Sequence, residues 1–296
     1  MYPDMKAALL PDRGVIKIAG IDARKFLNGL VTADMGKVTP AKPCFAALLT
    51  PQGKIIVDFI VAEAADGGFL LDCPRTQAPA LVERLGFYKL RAKVVIEDIS
   101  DIAAVMAVWN GAAPAHWGAC YPDPRLPELG LRCISPPHPA DAASAFGAEL
   151  VDAGAYEMHR IALGVPAGGL DFAYGDTFPH EADMDQLHGV DFQKGCFVGQ
   201  EVVSRMEHRG SARSRVVPVA HDGAAPATGI AVTAAGKPMG VMGSAAGGRG
   251  LATLRLDRVD EALAGGAALL AGGVELRLVR PAWARFAFPG EPKASP

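Results

Sequence analysis

Paired cysteines, paired histidines, phosphate-binding glycine loops and long apolar runs are all missing from this 296-residue chain. The five cysteines, Cys44, Cys73, Cys120, Cys133 and Cys196, are scattered with no C-x-x-C pair. That argues against a zinc ribbon or a chain-encoded iron–sulfur site, and the odd count argues against a secreted disulfide framework. The seven histidines form no H-E-x-x-H pair. No G-x-x-x-x-G-K-[ST] occurs, and Gly247-Gly248-Arg249-Gly250 leads into no helix, so those glycines read as turn residues. The start carries no basic region followed by an apolar stretch. Apolar runs such as Ile55 to Ala62 are broken by charge, far short of the roughly 18 to 20 residues needed to span a bilayer. A net charge of −3 offers no global basic excess for nucleic acid. The expectation is a soluble monomer with no membrane association. Its compartment would be reducing, the cytoplasm or the mitochondrial matrix if the source is eukaryotic.

Half the residues are hydrophobic and 21% are charged, the balance of a folded protein with a sizeable core. Residues 14–19 predict a strand, and Asp22 a helix N-cap with Phe26, Leu27 and Leu30 on one face. Phe45 to Leu49 and Ile55 to Ala62, joined through Thr50-Pro51-Gln52-Gly53-Lys54, predict a hairpin. Further strands are expected at 69–71, 93–97 and 103–108, and a helix at 76–86. The Pro- and Gly-rich stretch 111–140 reads as loop, 141–163 as helical and 167–193 as irregular. After about 212, short β runs alternate with glycine turns, the pattern of a small barrel or sandwich. The division expected is 1–212, 213–288 and a disordered tail over 289–296.

The most informative feature is the octapeptide Lys194-Gly-Cys-Phe-Val-Gly-Gln-Glu201. A thiol close to a helix start and to Lys194 has two reasons to ionise. The alternative is a buried cysteine packing as a small hydrophobe. Downstream, Arg205, Arg209, Arg213 and Arg215 form a basic stretch suited to a carboxylate tail or to phosphates, or simply a solvated face. Tyr156 and Arg160 share a helix face, as ligand contacts or as part of an amphipathic helix. Glu181 could accept from a heterocycle bearing N–H donors, or be a solvated loop charge. Asp58 sits in an apolar strand and needs a partner or a pocket, unless it faces solvent.

Together these segments resemble the YgfZ family of folate-binding proteins, relatives of the glycine cleavage T-protein. The octapeptide carries most of the resemblance. It is supported by Ile18 to Leu27, Leu49-Thr-Pro-Gln-Gly-Lys54, Arg160-Ile-Ala-Leu-Gly-Val-Pro166 and Phe178-Pro-His-Glu-Ala182. The resemblance implies an α+β, three-lobed fold, with two interleaved α/β lobes of antiparallel sheet and a C-terminal β-barrel. It implies tetrahydrofolate, or another folate derivative, as ligand, with Glu181 on the pterin and Tyr156, Arg160, Arg205 and Arg13 as further binding residues. Cys196, activated by Lys194, would be the reactive group, with Asp58 as a third catalytic candidate. The implied role is help in assembling or repairing iron–sulfur enzymes, with those clients as partners and a link to tRNA modification. The alternative is a tetrahydrofolate-dependent methyl- or aminomethyltransferase. Those transferases carry paired acids where this chain has Val57-Asp58.

Overall fold

The computed structural model describes residues 4–111, 119–135, 147–210 and 212–291. They form two compact units. The first comprises Met1–Tyr156 and Leu187–Gln200, and the second Glu157–Gln186 and Glu201–Pro296. The sequence reading divides the chain differently, grouping 157–186 and 201–212 with the N-terminal segments.

In chain order the first unit holds β1 (Lys6–Leu9), β2 (Arg13–Ala19), α1 (Ala23–Asn28), β3 (Cys44–Leu49), β4 (Ile55–Glu63) and β5 (Phe69–Pro74). These are followed by α2 (Ala78–Lys89), β6 (Val95–Asp98), β7 (Ala104–Trp109), β8 (Ala119–Pro122), β9 (Leu131–Ser135) and β10 (Glu149–Val151). The helix α3 (Ala153–Leu163) carries the chain from the first unit to the second. The strands build two five-stranded sheets, ordered β3-β4-β5-β2-β6 and β10-β1-β7-β9-β8. The chain starts in the second sheet, completes the first, and returns, so the two are interleaved in sequence. Pairing is antiparallel except between β1 and β10.

β4 reads Ile-Ile-Val-Asp-Phe-Ile-Val-Ala-Glu and is buried along almost its whole length. A near-continuous apolar run, rather than an alternating one, marks a strand covered on both faces. Its core includes Ile16, Leu27, Phe59, Leu71, Leu81 and Leu85. The predicted hairpin forms: the Gly53 N–H donates to the Thr50 carbonyl at 2.8 Å. Gly53 holds φ at 83°, a conformation glycine adopts without steric cost.

Four expectations are corrected. Asp22 precedes α1 but does not cap it. Its Oδ2 accepts from the Lys93 N–H at 2.8 Å and ties the start of α1 to the approach to β6. The described part of 111–140 is not loop, because β8 and β9 pair as an antiparallel hairpin with Cys120 opposite Cys133. Those two cysteines are joined as a disulfide, which departs from the all-thiol expectation. Of the helical stretch expected over 141–163, the described part, from 147 on, holds the strand β10 and then a helix from Ala153. Residues 112–118, 136–146 and 211 lie outside the described set.

After its first segment, Glu157–Gln186, the second unit continues through α4 (Gln200–Arg209) and holds β11 (Ser214–His221), β12 (Ala231–Ala234), β13 (Lys237–Ala246) and β14 (Arg249–Arg255). Then come α5 (Leu256–Ala264), β15 (Leu269–Ala271) and β16 (Val274–Leu278). The six strands close in the order β11-β14-β13-β12-β15-β16. Closure leaves no free strand edge. Val217, Val219, Leu254, Leu269 and Leu276 fill the interior, and α5 packs Val259 against them. The expected disordered tail begins ordered: the Gly290 N–H donates to Asp260 Oδ1 at 3.1 Å. The remainder of that tail, 292–296, lies outside the described residues. No described helix is long and apolar enough to cross a membrane.

Candidate functional site

The first unit buries a network of charged groups where its two sheets meet. Arg13 on β2 donates through Nε to Asp72 Oδ1 at 2.6 Å and through Nη2 to the Asp72 carbonyl at 2.7 Å. Asp72 lies on β5, the neighbour of β2. Arg125 grips Asp123 with both ends of its fork, Nε to Oδ1 at 2.9 Å and Nη2 to Oδ2 at 2.7 Å. From β9, Arg132 reaches Asp123 Oδ2 at 3.3 Å and the Tyr156 hydroxyl at 2.9 Å. Tyr156 is also edge-on to Trp109, with ring centroids 5.5 Å apart. Asp58 is buried, and its charge helps hold Arg13 and Arg125 protonated.

Three buried atoms of this network have no hydrogen-bond partner: Asp72 Oδ2, Arg132 Nη1 and the Tyr121 hydroxyl. The first two face each other at 3.8 Å, close enough to attract and too far to bond. Such orphans are rare and each costs about 1–3 kcal/mol. A donor, an acceptor and a hydroxyl left over together form a polar cradle, able to take a group that both donates and accepts. Burial, then the nearby Asp72 charge, pushes the Tyr121 phenol well above its ordinary range.

The octapeptide segment is seated on the predicted β3–β4 turn. A Cβ on Gly199 would meet the Thr50 carbonyl oxygen at 2.6 Å, and Gly199 adopts φ 81°. Only glycine allows that approach in that conformation. Cys196, three residues earlier, is exposed. Sequence reasoning assigns Lys194 to activate Cys196, but the structure gives that lysine another task. Its ammonium donates to the carbonyls of Asn28 at 2.8 Å, Val31 at 2.6 Å and Ala33 at 2.8 Å. These oxygens lie at and beyond the C-terminal end of α1, where backbone acceptors are left over and a cation is favoured. Burial lowers the Lys194 pKa to about 8, while Asp34 and Asp191 oppose the shift. The thiol that feels its charge is Cys44, where burial outweighs the lysine and pushes the pKa to about 12. Cys44 lines a cavity of about 650 Å³ together with Lys37, Phe45, Asp191 and Phe192. Cys73, buried on β5, is likewise pushed by burial to about 12.

These environments predict the order of thiol labelling. A thiol with a pKa near 12 is ionised to about one part in ten thousand at pH 8, and the thiolate is the reactive form. A native, unreduced sample should show one fast equivalent with a disulfide reagent, assigned to Cys196. Denaturant should raise the total to three and reduction to five. A fast phase that survives Cys196→Ser would contradict this ranking.

The other expected site residues belong to the second unit. Arg160 is not available to a ligand. Nε donates to Glu157, Nη1 to the Val165 carbonyl and Asp171, and Nη2 to Glu157 and Ser244. With all five N–H donors used and only 2% of the side chain exposed, the residue is an internal brace. Arg205 is exposed on α4. Glu181 Oε2 accepts from the Phe178 N–H at 3.0 Å, which steadies the turn it sits in.

Asp72, Tyr121, Asp123, Arg125 and Arg132 escaped the sequence reading. The signal for Asp72 was present, since an acid inside Phe69-Leu-Leu-Asp-Cys-Pro74 breaks an apolar run just as Asp58 does. The other four lie in the stretch read as loop, where a charge carries no signal.

Residues 12–115 match the family described as the GCVT N-terminal domain, and residues 213–286 the CAF17 C-terminal beta-barrel domain. An iron–sulfur cluster assembly factor IBA57 homolog, mitochondrial, from Pyricularia oryzae is 34% identical over 280 residues, 84% of this chain and 71% of that protein. The chain belongs to the IBA57 family. The IBA57 homolog of Mycosarcoma maydis is 38% identical over 230 residues, and that of Neurospora crassa 31% over 247. The chain spans 57% and 56% of the length of those two relatives. In fold, the glycine cleavage system aminomethyltransferase T of Bartonella henselae superposes with a TM-score of 0.77 at 16% identity, covering 96% of this chain and 88% of that one. At that identity the likeness shows the fold alone.

Proposed function

We propose that this protein is a tetrahydrofolate-binding factor of the YgfZ and IBA57 type that assists the assembly or repair of iron–sulfur enzymes, with Cys196 as its reactive group. The observation that carries the role is family membership: the relatives matched are named iron–sulfur cluster assembly factors. The exposure of Cys196, on a segment seated by Gly199, supports the part given to the thiol. Support for folate comes from the GCVT-type N-terminal region and from the buried cradle of Asp72, Tyr121 and Arg132. A reduced pterin carries ring N–H donors and a carbonyl acceptor, the complement of a free carboxylate oxygen and a free guanidinium nitrogen. The expected compartment is one that houses iron–sulfur assembly, and the relatives' names make it mitochondrial for eukaryotic members. The aminomethyltransferase reading has less support, because Val57 is buried in the apolar core where a second acid would be required.

The test is calorimetric titration with tetrahydrofolate. Wild type should bind, and Tyr121→Phe, which removes the unpartnered hydroxyl of the cradle, should bind about tenfold more weakly, a loss of about 1.4 kcal/mol. Phenylalanine keeps the packing of the ring, so the strand should survive. No heat with the wild-type protein would overturn the folate assignment.

A further inference from the structure

The motif Phe178-Pro-His-Glu-Ala182 contributes a residue with no part in the proposed folate site. His180 is buried, and its Nε2 lies 3.0 Å from Glu207 Oε2 on α4. With Asp185 they form a cluster in which one ring nitrogen of His180 and one carboxylate oxygen each of Asp185 and Glu207 lie within 4.8 Å of one another. His180 and Glu207 both line a cavity of about 380 Å³ in the second unit.

We propose that His180, Asp185 and Glu207 bind a divalent first-row transition ion. The spacing is close: two ligands about 2.1 Å from one metal lie about 3.0 Å apart at right angles and about 3.4 Å apart in a tetrahedral site, so the His180–Glu207 pair would open by a few tenths of an ångström at most. The third ligand needs only a small inward movement. One imidazole with two carboxylates suits zinc, manganese, cobalt or iron in the divalent state, whereas magnesium and calcium prefer all-oxygen sites. Arg215 does not block the site. It holds Asp185 with Nη1 on Oδ1 at 2.9 Å and Nη2 on Oδ2 at 2.8 Å. Gln186 Nε2 also donates to Oδ2, at 2.6 Å; a carboxylate has about four lone-pair sites, so the one that remains is on Oδ1. Arg215 then acts as an outer partner that orients a ligand. Local charge favours a cation. Asp185 and Glu207 each offer an oxygen to the cluster, and Asp183, on the same Arg215 nitrogen as Asp185, has a buried Oδ2 without a hydrogen-bond partner. Arg213 lines the same cavity but is exposed.

On binding, His180 Nε2 changes from donor to ligand. The metal binds Nε2 of the neutral ring carrying its proton on Nδ1: a doubly protonated ring releases the Nε2 proton to solvent, and a ring protonated only on Nε2 gives that proton up while Nδ1 takes one from solvent. The ion would then clamp the C-terminal half of α4 to the 180–185 turn.

The experiment uses metal-stripped protein titrated with cobalt(II), read by its visible absorption, and in parallel with zinc and melting temperature. Wild type should take up one equivalent and melt higher with zinc, because binding the folded state alone stabilises it. Glu207→Gln, at a half-exposed position, should weaken binding at least tenfold and abolish the zinc-dependent rise. His180→Gln should abolish both, and Cys196→Ser should leave both intact. Thiolate-to-cobalt charge-transfer bands, unchanged uptake in Glu207→Gln, or no uptake at tens of micromolar metal would each overturn the assignment.

Discussion

Cys196→Ala is expected to remove at least nine-tenths of the iron–sulfur enzyme activity that the wild-type gene restores to a strain lacking this protein, while barely changing stability. The two effects separate because of where the side chain lies. Cys196 is exposed, and a surface substitution away from caps, cores and ion pairs moves stability by about 0.5 kcal/mol or less. Its surroundings stay fixed: Gly199 still seats the segment on the Thr50–Lys54 turn, and Lys194 still anchors it to the end of α1. The other free cysteines should behave in the opposite way. Cys73 is fully buried in the apolar core, so Cys73→Ala should lower the urea midpoint with little effect on restored activity per folded molecule. Cys44→Ala should retain activity, because burial keeps that thiol protonated. Cys196→Ser makes the role chemical rather than steric, since a hydroxyl is similar in size but a poor nucleophile and a poor soft-metal ligand. Full restoration by Cys196→Ala, with protein levels matched by immunoblot, would remove the thiol from the mechanism.

What was legible in the sequence follows from which physical signals are local. Turn chemistry at Pro51-Gln52-Gly53 and the unbroken apolar run of β4 sufficed for the central hairpin. Glycine spacing after 212 sufficed for a β-rich domain. The short strands β1 and β10 were missed because they are stabilised by partners far away in sequence, Lys6 pairing with Glu149; β8 and β9 form a local hairpin, but in a stretch whose prolines and glycines read as loop. The octapeptide was legible as a motif, but its internal division of labour was not. Lys194 is two residues from Cys196, and proximity in sequence suggested electrostatic activation. In the fold, the residue after Lys194 is a glycine with open space around it, and the lysine turns inward to carbonyls some 160 positions earlier. Arg160 teaches the same lesson. Its spacing from Tyr156 suggested a shared ligand face, yet Tyr156 bonds Arg132 while Arg160 spends every donor on Glu157, Val165, Asp171 and Ser244.

The buried network yields the largest stability prediction. Asp123→Ala should lower unfolding stability at pH 7 by about 3–5 kcal/mol, the usual cost of breaking a buried ion pair by removing one partner. Asp123 is the shared acceptor for Arg125 and Arg132, so its loss strands two guanidiniums in a water-poor interior. Arg125→Met alone should also destabilise, and combining Asp123→Leu with Arg125→Met should recover part of the loss, because a packed apolar pair needs no compensating charge. Acid gives an independent signature. Burial opposes ionisation of Asp123, but the two arginines outweigh it and hold its pKa down at about 2. The unfolded value is about 3.9, so the folded state binds fewer protons in this range. The stabilisation is therefore complete above about pH 4 and is lost as pH falls towards 2, an amount of about 2.6 kcal/mol for a shift of this size. Urea midpoints for the wild type should fall through that window, and those of the Asp123→Leu/Arg125→Met double variant should fall less. A single Asp123→Ala variant losing under about 1 kcal/mol would mean the interior is wetter than its burial implies, since only water could then satisfy the two stranded guanidiniums. The orphaned Asp72 oxygen and Arg132 nitrogen beside them would in that case be hydrated as well, and the polar cradle would lose its claim to a ligand.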